Sequence, residues 1–247
     1  MSEMFQPKPV RRNRPWLFRF RCIIDLQLST IFKRLRVQVP RLGGDLLDVG
    51  AGESPWRNLL RTDVKYFGLD VSKSNDFKMG SAGNDITYYD GEMFPFPGEK
   101  FMSVLCIEVL EHVKDPMKML GEIYRVLNPG GTLLLSVPWS ARRHHIPFDF
   151  YRFTPEGLRH LLIVAGFESI EIVPRGSEAH VIANKLLIFV IGTLKFKQSF
   201  GYILRLLSLF FVMPMLAFWY SVAWIHNGFN IVSENDPLGY FVKASKL

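Results

Sequence analysis

Cysteine is scarce in this chain. Only Cys22 and Cys106 occur in 247 residues, and Cys106 falls in an apolar run that reads as a buried strand. That excludes a disulfide framework and suits a reducing compartment. No secretory leader is expected, because the polar start is not followed by an apolar core and a small-residue cleavage site. Acids are scarce at the front. Residues 1–41 hold ten Lys and Arg against two acids, while the other 206 hold twenty against twenty-one. The net charge of +7 therefore belongs to a basic arm, and the body is neutral. No nucleic-acid module surrounds that arm, so nucleic acid is not the expected partner. No Gly-Lys-Ser/Thr follows any glycine loop, which excludes a phosphate-binding P-loop. Glu108 and His112 stand at a spacing that could hold a metal, but no third ligand lies near them in sequence, so no metal is expected.

What is present centres on Leu46-Leu47-Asp48-Val49-Gly50-Ala51-Gly52-Glu53-Ser54-Pro55-Trp56. It reads as a buried strand, a glycine turn and a helix start. Gly50 and Gly52 permit positive φ and close backbone approach, and Pro55 suits the first turn of a helix. Turns at the carboxyl ends of parallel strands are where open α/β sheets bind ligands. A dinucleotide fingerprint wants a third glycine at position 55, where proline stands. Further landmarks follow in order. Tyr66-Phe67-Gly68-Leu69-Asp70 reads as a second strand ending in an acid, twenty residues past Gly50. That spacing suits hydrogen bonds to ribose hydroxyls. Ile86–Tyr89, closed by Asp90-Gly91, reads as a third strand. Met102–Ile107, running into Glu108-Val109-Leu110-Glu111-His112, reads as a fourth, and Thr132–Val137 after Asn128-Pro129-Gly130-Gly131 as a fifth.

The glycine loop resembles the Asp-x-Gly-x-Gly motif of class I S-adenosylmethionine-dependent methyltransferases. The ordered series, over roughly residues 44–175, resembles the type 11-like methyltransferase domain of bacterial small-molecule and glycan-modifying enzymes. The resemblance implies S-adenosylmethionine as cofactor, with Asp48, Gly50, Gly52, Asp70, Asp90 and Glu108 around it. Asp70 would meet the ribose and Asp90 the adenine amino group. It also implies a Rossmann-like, doubly wound α/β sheet of seven strands with the last antiparallel.

Elsewhere, Trp16–Val39 has helical spacing with Arg19, Arg21, Lys33, Arg34 and Arg36 interleaved. It is either a basic amphipathic helix for an anionic membrane or a packing helix with solvated charges. Asp115-Pro116 and Thr154-Pro155 are N-cap and first-turn signals for two more helices. Glu168–Val173 reads as the sixth strand and Leu238–Lys243 as the seventh. Between them lies a hydrophobic helical insertion. Leu206–Ile225 has no charge over twenty residues, which is long enough to cross a bilayer. Both of its ends must return to one sheet, so a single crossing is excluded, and Pro214 is expected to kink or break the helix. A membrane-dipping hairpin, helices lying on the surface, a buried cap and a dimer interface all remain open.

Candidate catalytic residues gather after the fifth strand. The segment 138–154, through His145, Pro147, Asp149, Tyr151, Arg152 and Thr154, resembles a segment of a methyltransferase subgroup tied to cell-surface glycan clusters, with a pattern close to His-x-x-Pro-His-Asp-Tyr-Tyr-Arg-Tyr-Thr. Phe148 replaces the second histidine. His145 is the first choice of base, with Asp149 orienting it or binding substrate. A structural role for Asp149, Tyr151 and Arg152 is the plainer alternative.

The expected organisation is a basic arm and helix over 1–43, a methyltransferase domain over 44–178 and 235–247, and the hydrophobic insertion over 179–234. The expected acceptor is a small molecule, sugar or lipid-linked glycan, with oxygen the first choice of atom. The expected location is cytoplasmic, peripheral or monotopic on the inner membrane face, and a homodimer is open. A nicotinamide-dependent oxidoreductase and an inactive membrane scaffold are the rival readings.

Overall fold

The structure is a computed structural model and describes residues 15–71, 85–195 and 201–247. The expected arginine cluster at 11, 12 and 14 lies outside the described residues. The strands are β1 (Asp45–Val49), β2 (Lys65–Val71), β3 (Ile86–Tyr89), β4 (Phe101–Ile107), β5 (Leu127–Pro138), β6 (Glu168–Arg175) and β7 (Gly239–Ser245). They form one sheet in the order β3-β2-β1-β4-β5-β7-β6. β1 through β5 pair in parallel, and β7 lies antiparallel between β5 and β6. The strand order reverses between β1 and β4, the point at which open parallel sheets leave a crevice outside their carboxyl ends.

Side-chain alternation gives the sheet two buried faces. Leu47, Val49, Val104, Cys106, Leu133 and Leu135 pack on one. There they meet α3 (Pro116–Val126) and α4 (Pro155–Val164) through Leu120, Ile123, Leu158 and Leu162. Asp115 and Thr154 cap these helices, accepting from the amides of Lys118 and Gly157 at 3.0 Å each, with proline in each first turn. On the other face Leu46, Leu105, Leu134 and Phe241 meet Leu28, Ile31, Leu35 and Val39 of the N-terminal segment.

That segment is two helices where one is expected, α1 (Pro15–Ile24) and α2 (Leu26–Gln38). Asp25 leaves helical geometry and accepts the Leu28 amide at 3.1 Å, restarting the helix as an N-cap. α2 buries its apolar face on the sheet. Its Lys33 and Arg34 donate to the carbonyls of Asn227 and Pro174, so these two charges hold protein rather than lipid. α1 instead exposes Trp16, Phe20 and Ile23. α2 also explains a second difference. After the glycine turn there is only a short 3-10 turn, Arg57–Leu59, in place of an α-helix. Ser54 takes φ +51°, and Trp56 is buried in the cluster that α2 already fills.

Between β6 and β7 stand α5 (Glu178–Lys195) and α6 (Gly201–Gly228), packed on each other. Arg175 of β6 and Gly239 of β7 are register partners, so the hairpin leaves and rejoins the sheet at one place. Its base is a small core of Leu26, Ala179, Val181, Ala183, Ala223 and Leu238. Pro214 lies inside α6 without ending it. Tyr202–Gly228 is long and apolar enough to cross a membrane; its most apolar 18 residues have a mean hydropathy of 1.9, yet only 6% of them are buried. Leu207, Phe210 and Phe211 stand in the open.

Candidate active site

The carboxyl ends of β1, β2 and β4 bring the glycine turn, Asp70 and Glu108 to one rim. Gly50 has φ +69° and Gly52 φ +49°. The Gly50 amide donates to the Leu69 carbonyl at 2.8 Å. The Gly52 amide donates to Asp70 Oδ2 at 3.0 Å, and Asp70 Oδ1 accepts the Val71 amide at 2.8 Å. Burial pushes the Asp70 carboxyl above its ordinary range, partly offset by those two amides. The two glycines differ in surroundings. A side chain at Gly50 would meet Val109 Cγ2 at 2.4 Å, whereas nothing lies within 4 Å of one at Gly52. Gly52 therefore presents bare backbone to open space beside an acid.

Asp48 points elsewhere. It is 2% exposed, on the α2 face beneath the turn, and accepts the Tyr66 hydroxyl at 2.8 Å, while Ser54 lies 2.8 Å from that same hydroxyl. Burial raises its carboxyl from 3.8 to about 7. Asp90 is exposed after β3 and accepts the Glu92 amide at 2.9 Å. Glu108, at φ +57°, is held through one oxygen. Its Oε1 accepts from Ser136 Oγ at 2.7 Å and from Arg175 at 2.8 Å.

Arg175 is one residue that sequence reasoning missed. Its guanidinium is fully buried. Besides Glu108, it donates to the Val137 carbonyl at 3.2 Å, Thr30 Oγ1 at 3.2 Å and the Gln27 carbonyl at 3.5 Å. Gln27 in turn donates to the Ser140 carbonyl at 3.1 Å. Together these bonds fasten α2 across the carboxyl ends of β4, β5 and β6. The only sequence signal was an arginine ending an otherwise alternating strand. Arg175 also lines a hollow of about 320 Å³ with Lys33, Arg34, Arg36, His180 and Asn227. This basic hollow lies between α2 and the end of α6, and Arg175 separates it from Glu108.

The loop after β5 brings His145 beside two other imidazoles, with ring centroids 5.1 Å from His112 and 5.4 Å from His144. Burial lowers all three histidines to about 4, so they are neutral at pH 7. Asp149 is engaged with other groups. Arg152 grips it at 2.6 and 2.9 Å, and the His144 amide donates to it at 3.0 Å. The 3-10 turn Leu110–His112 carries Glu111, fully buried, between His112 and His144. The thirty-two residues from His112 to His144 hide that grouping from any spacing rule.

With this geometry in view, the relatives are informative. The sequence model of a methyltransferase domain family matches residues 20–172. A Mycolicibacterium smegmatis protein named "Probable S-adenosylmethionine-dependent methyltransferase" is 30% identical over 152 residues, covering 56% of this chain and 59% of that protein. A Dinoroseobacter shibae ubiquinone biosynthesis O-methyltransferase is 31% identical over 173 residues, covering 60% and 65%. Each match spans less than two thirds of the relative's length. Among solved structures, a methyltransferase from Archaeoglobus fulgidus aligns at a TM-score of 0.55 and 16% identity, over 94% of this chain and 100% of that one. At that identity the likeness establishes the fold and not the reaction.

Proposed function

From the premise that this chain belongs to the methyltransferase-domain family, we propose that it transfers the methyl group of S-adenosylmethionine to an oxygen of a membrane-borne acceptor. The observation that carries the reading is the Gly52 turn. Its amide is tied to Asp70 and its Cα faces open space, a site for a phosphate-free nucleoside. Asp70 takes the ribose hydroxyls, Gly50 and Gly52 admit the ligand against bare backbone, and Asp90 lies at the adenine end. Glu108, anchored by Ser136 and Arg175 through one oxygen, turns the other toward the methionine portion. Asp48 supports the turn from below. Methyl transfer from a sulfonium is an in-line displacement, so the protein's main task is holding acceptor and methyl at near-attack distance. His145 receives the acceptor proton, and Asp149, through Arg152, fixes the loop that carries it.

Three features support a membrane-borne acceptor. The hairpin exposes an apolar face. It rises from the ends of β6 and β7 next to the rim. The basic hollow at its foot suits an anionic headgroup. The relative named for ubiquinone biosynthesis O-methylation supports oxygen as the acceptor atom. The test is incubation of the full chain with methyl-labelled S-adenosylmethionine and a total membrane extract. Label should enter the lipid-soluble fraction and be lost with Asp70→Asn. Cofactor binding with no label transferred, or tight nicotinamide dinucleotide binding in its place, would overturn the reading.

A further inference from the structure

We propose that Glu111, His112 and His144 bind a divalent first-row cation, zinc in preference to magnesium or calcium. One ligand atom from each lies within 4.8 Å of the others. His112 Nε2 is 3.6 Å and His144 Nε2 3.9 Å from Glu111 Oε1. Around an ion with bonds of about 2.0–2.2 Å, tetrahedral donors stand roughly 3.3–3.6 Å apart. Small side-chain rotations close the difference.

The second observation is independent of this proximity. Glu111 is fully buried, and neither carboxylate oxygen has a hydrogen-bond partner. An unpaired buried carboxylate is costly. Its neighbours relieve it only in part. Burial first, then the Glu108 charge, opposes ionisation of Glu111, while its own backbone and the Arg152 charge favour it. Arg152 is bonded to Asp149 and Arg175 to Glu108. Among the described residues, Glu111 is thus the acid of this cluster with no cation bonded to it.

The imidazoles are arranged to serve as ligands. His112 Nδ1 lies 2.7 Å from the Phe148 carbonyl and His144 Nδ1 3.1 Å from the Arg142 carbonyl. A carbonyl accepts only from N–H, so each ring carries its proton on Nδ1 and turns a lone pair on Nε2 toward Glu111. Carbonyls that fix the tautomer in this way are the usual outer support of metal-bound histidine. Two imidazole nitrogens and one carboxylate favour zinc-like ions over hard cations, which want oxygen alone. Three protein ligands leave a further position for water or an acceptor oxygen, and His145 stands beside it. On the methyl-transfer reading the ion would be a Lewis acid for the acceptor. The site itself does not depend on that reading.

The test uses untagged full-length protein, stripped with chelator and titrated with Co²⁺ and Zn²⁺. Wild type should take up about one ion per chain, with a visible cobalt band of nitrogen and oxygen ligation. Glu111→Gln and His144→Asn should each weaken binding at least tenfold, the scale on which such sites respond even to outer-shell loss. His160→Asn on α4 should bind as wild type does. Equal cobalt binding by wild type and Glu111→Gln, or none by wild type, would overturn the proposal. If a variant does not fold, X-ray absorption of cobalt-loaded wild type decides: two imidazoles in the shell support the site and an all-oxygen shell refutes it. Because the readout is the ion and not turnover, failure here leaves the methyl-transfer reading standing.

Discussion

Single positions divide the glycine turn into a folding half and a binding half. Gly50→Ala would drive a methyl into Val109 at positive φ. It should cost roughly 1–3 kcal/mol of stability, read as a lower urea midpoint. Gly52→Ala meets nothing, so it should fold with a smaller loss and instead weaken S-adenosylmethionine binding in calorimetry. Equal effects of the two on stability would contradict the division. Asp48 yields a pH prediction. Its carboxyl titrates at about 7 in the fold against 3.8 ordinarily. Between these values the unfolded chain has released a proton that the folded chain retains. Stability from this group is therefore present in acid and lost as pH rises to about 7, by up to about 4 kcal/mol. Asp48→Asn should flatten that slope and leave the variant more stable than wild type at pH 8. An unchanged difference between pH 5 and pH 8 would assign the slope to another group. At this scale the sequence was legible where motif spacing is short and local, as in Gly50, Gly52 and Asp70. It was silent on Glu111, His144 and Arg175, because burial and partnership across distant strands leave no local periodicity.

Elements were legible in proportion to how strongly local chemistry dictates them. Asp115-Pro116 and Thr154-Pro155 start helices by capping and fixed φ, and the structure starts them there. All seven strands fall at the expected places, six of them within two residues at each end, while β5 begins at Leu127, five residues before the expected Thr132, and runs through Asn128-Pro129-Gly130-Gly131. The misjudged elements were decided by competition for space. One face of β1 has room for one helix, and α2 occupies it, so the segment after Pro55 is left with a short turn. Asp25 divides the first helix because its carboxylate satisfies an amide better than a continued helix would. Arg175 then locks α2 in place. Arg175→Met removes the donor for Glu108 and for the carbonyls of Gln27 and Val137. Breaking such a buried pair from one side should cost about 3–5 kcal/mol. Denaturant unfolding measures it, and a midpoint within error of wild type would show that α2 is held by apolar packing alone.

For the whole molecule the question is how charge and apolar surface act together. The basic excess lies in residues 1–41, and the apolar surface lies on α6 and on the outer side of α1. Among the described residues α1, which carries Arg19 and Arg21, meets α6, since the Tyr220 hydroxyl of α6 donates to the Ile24 carbonyl at the end of α1. On the proposed membrane reading, charge and apolar surface would act on one lipid surface together, which is what reversible yet firm membrane attachment requires. The two signals respond differently to salt. Attraction of the basic arm to anionic lipid is screened within about a Debye length, whereas insertion of Phe210 and Phe211 is not. The full chain should co-sediment strongly with anionic vesicles, lose part of that binding in high salt, and keep the salt-resistant remainder on neutral vesicles. Phe210→Glu with Phe211→Glu should remove the remainder and spare the salt-sensitive part. Both residues are exposed and lie outside the cluster that seats the hairpin, so the double variant should fold normally. Wild-type binding that vanishes entirely with salt would reduce attachment to charge alone and leave the apolar face for contact with protein.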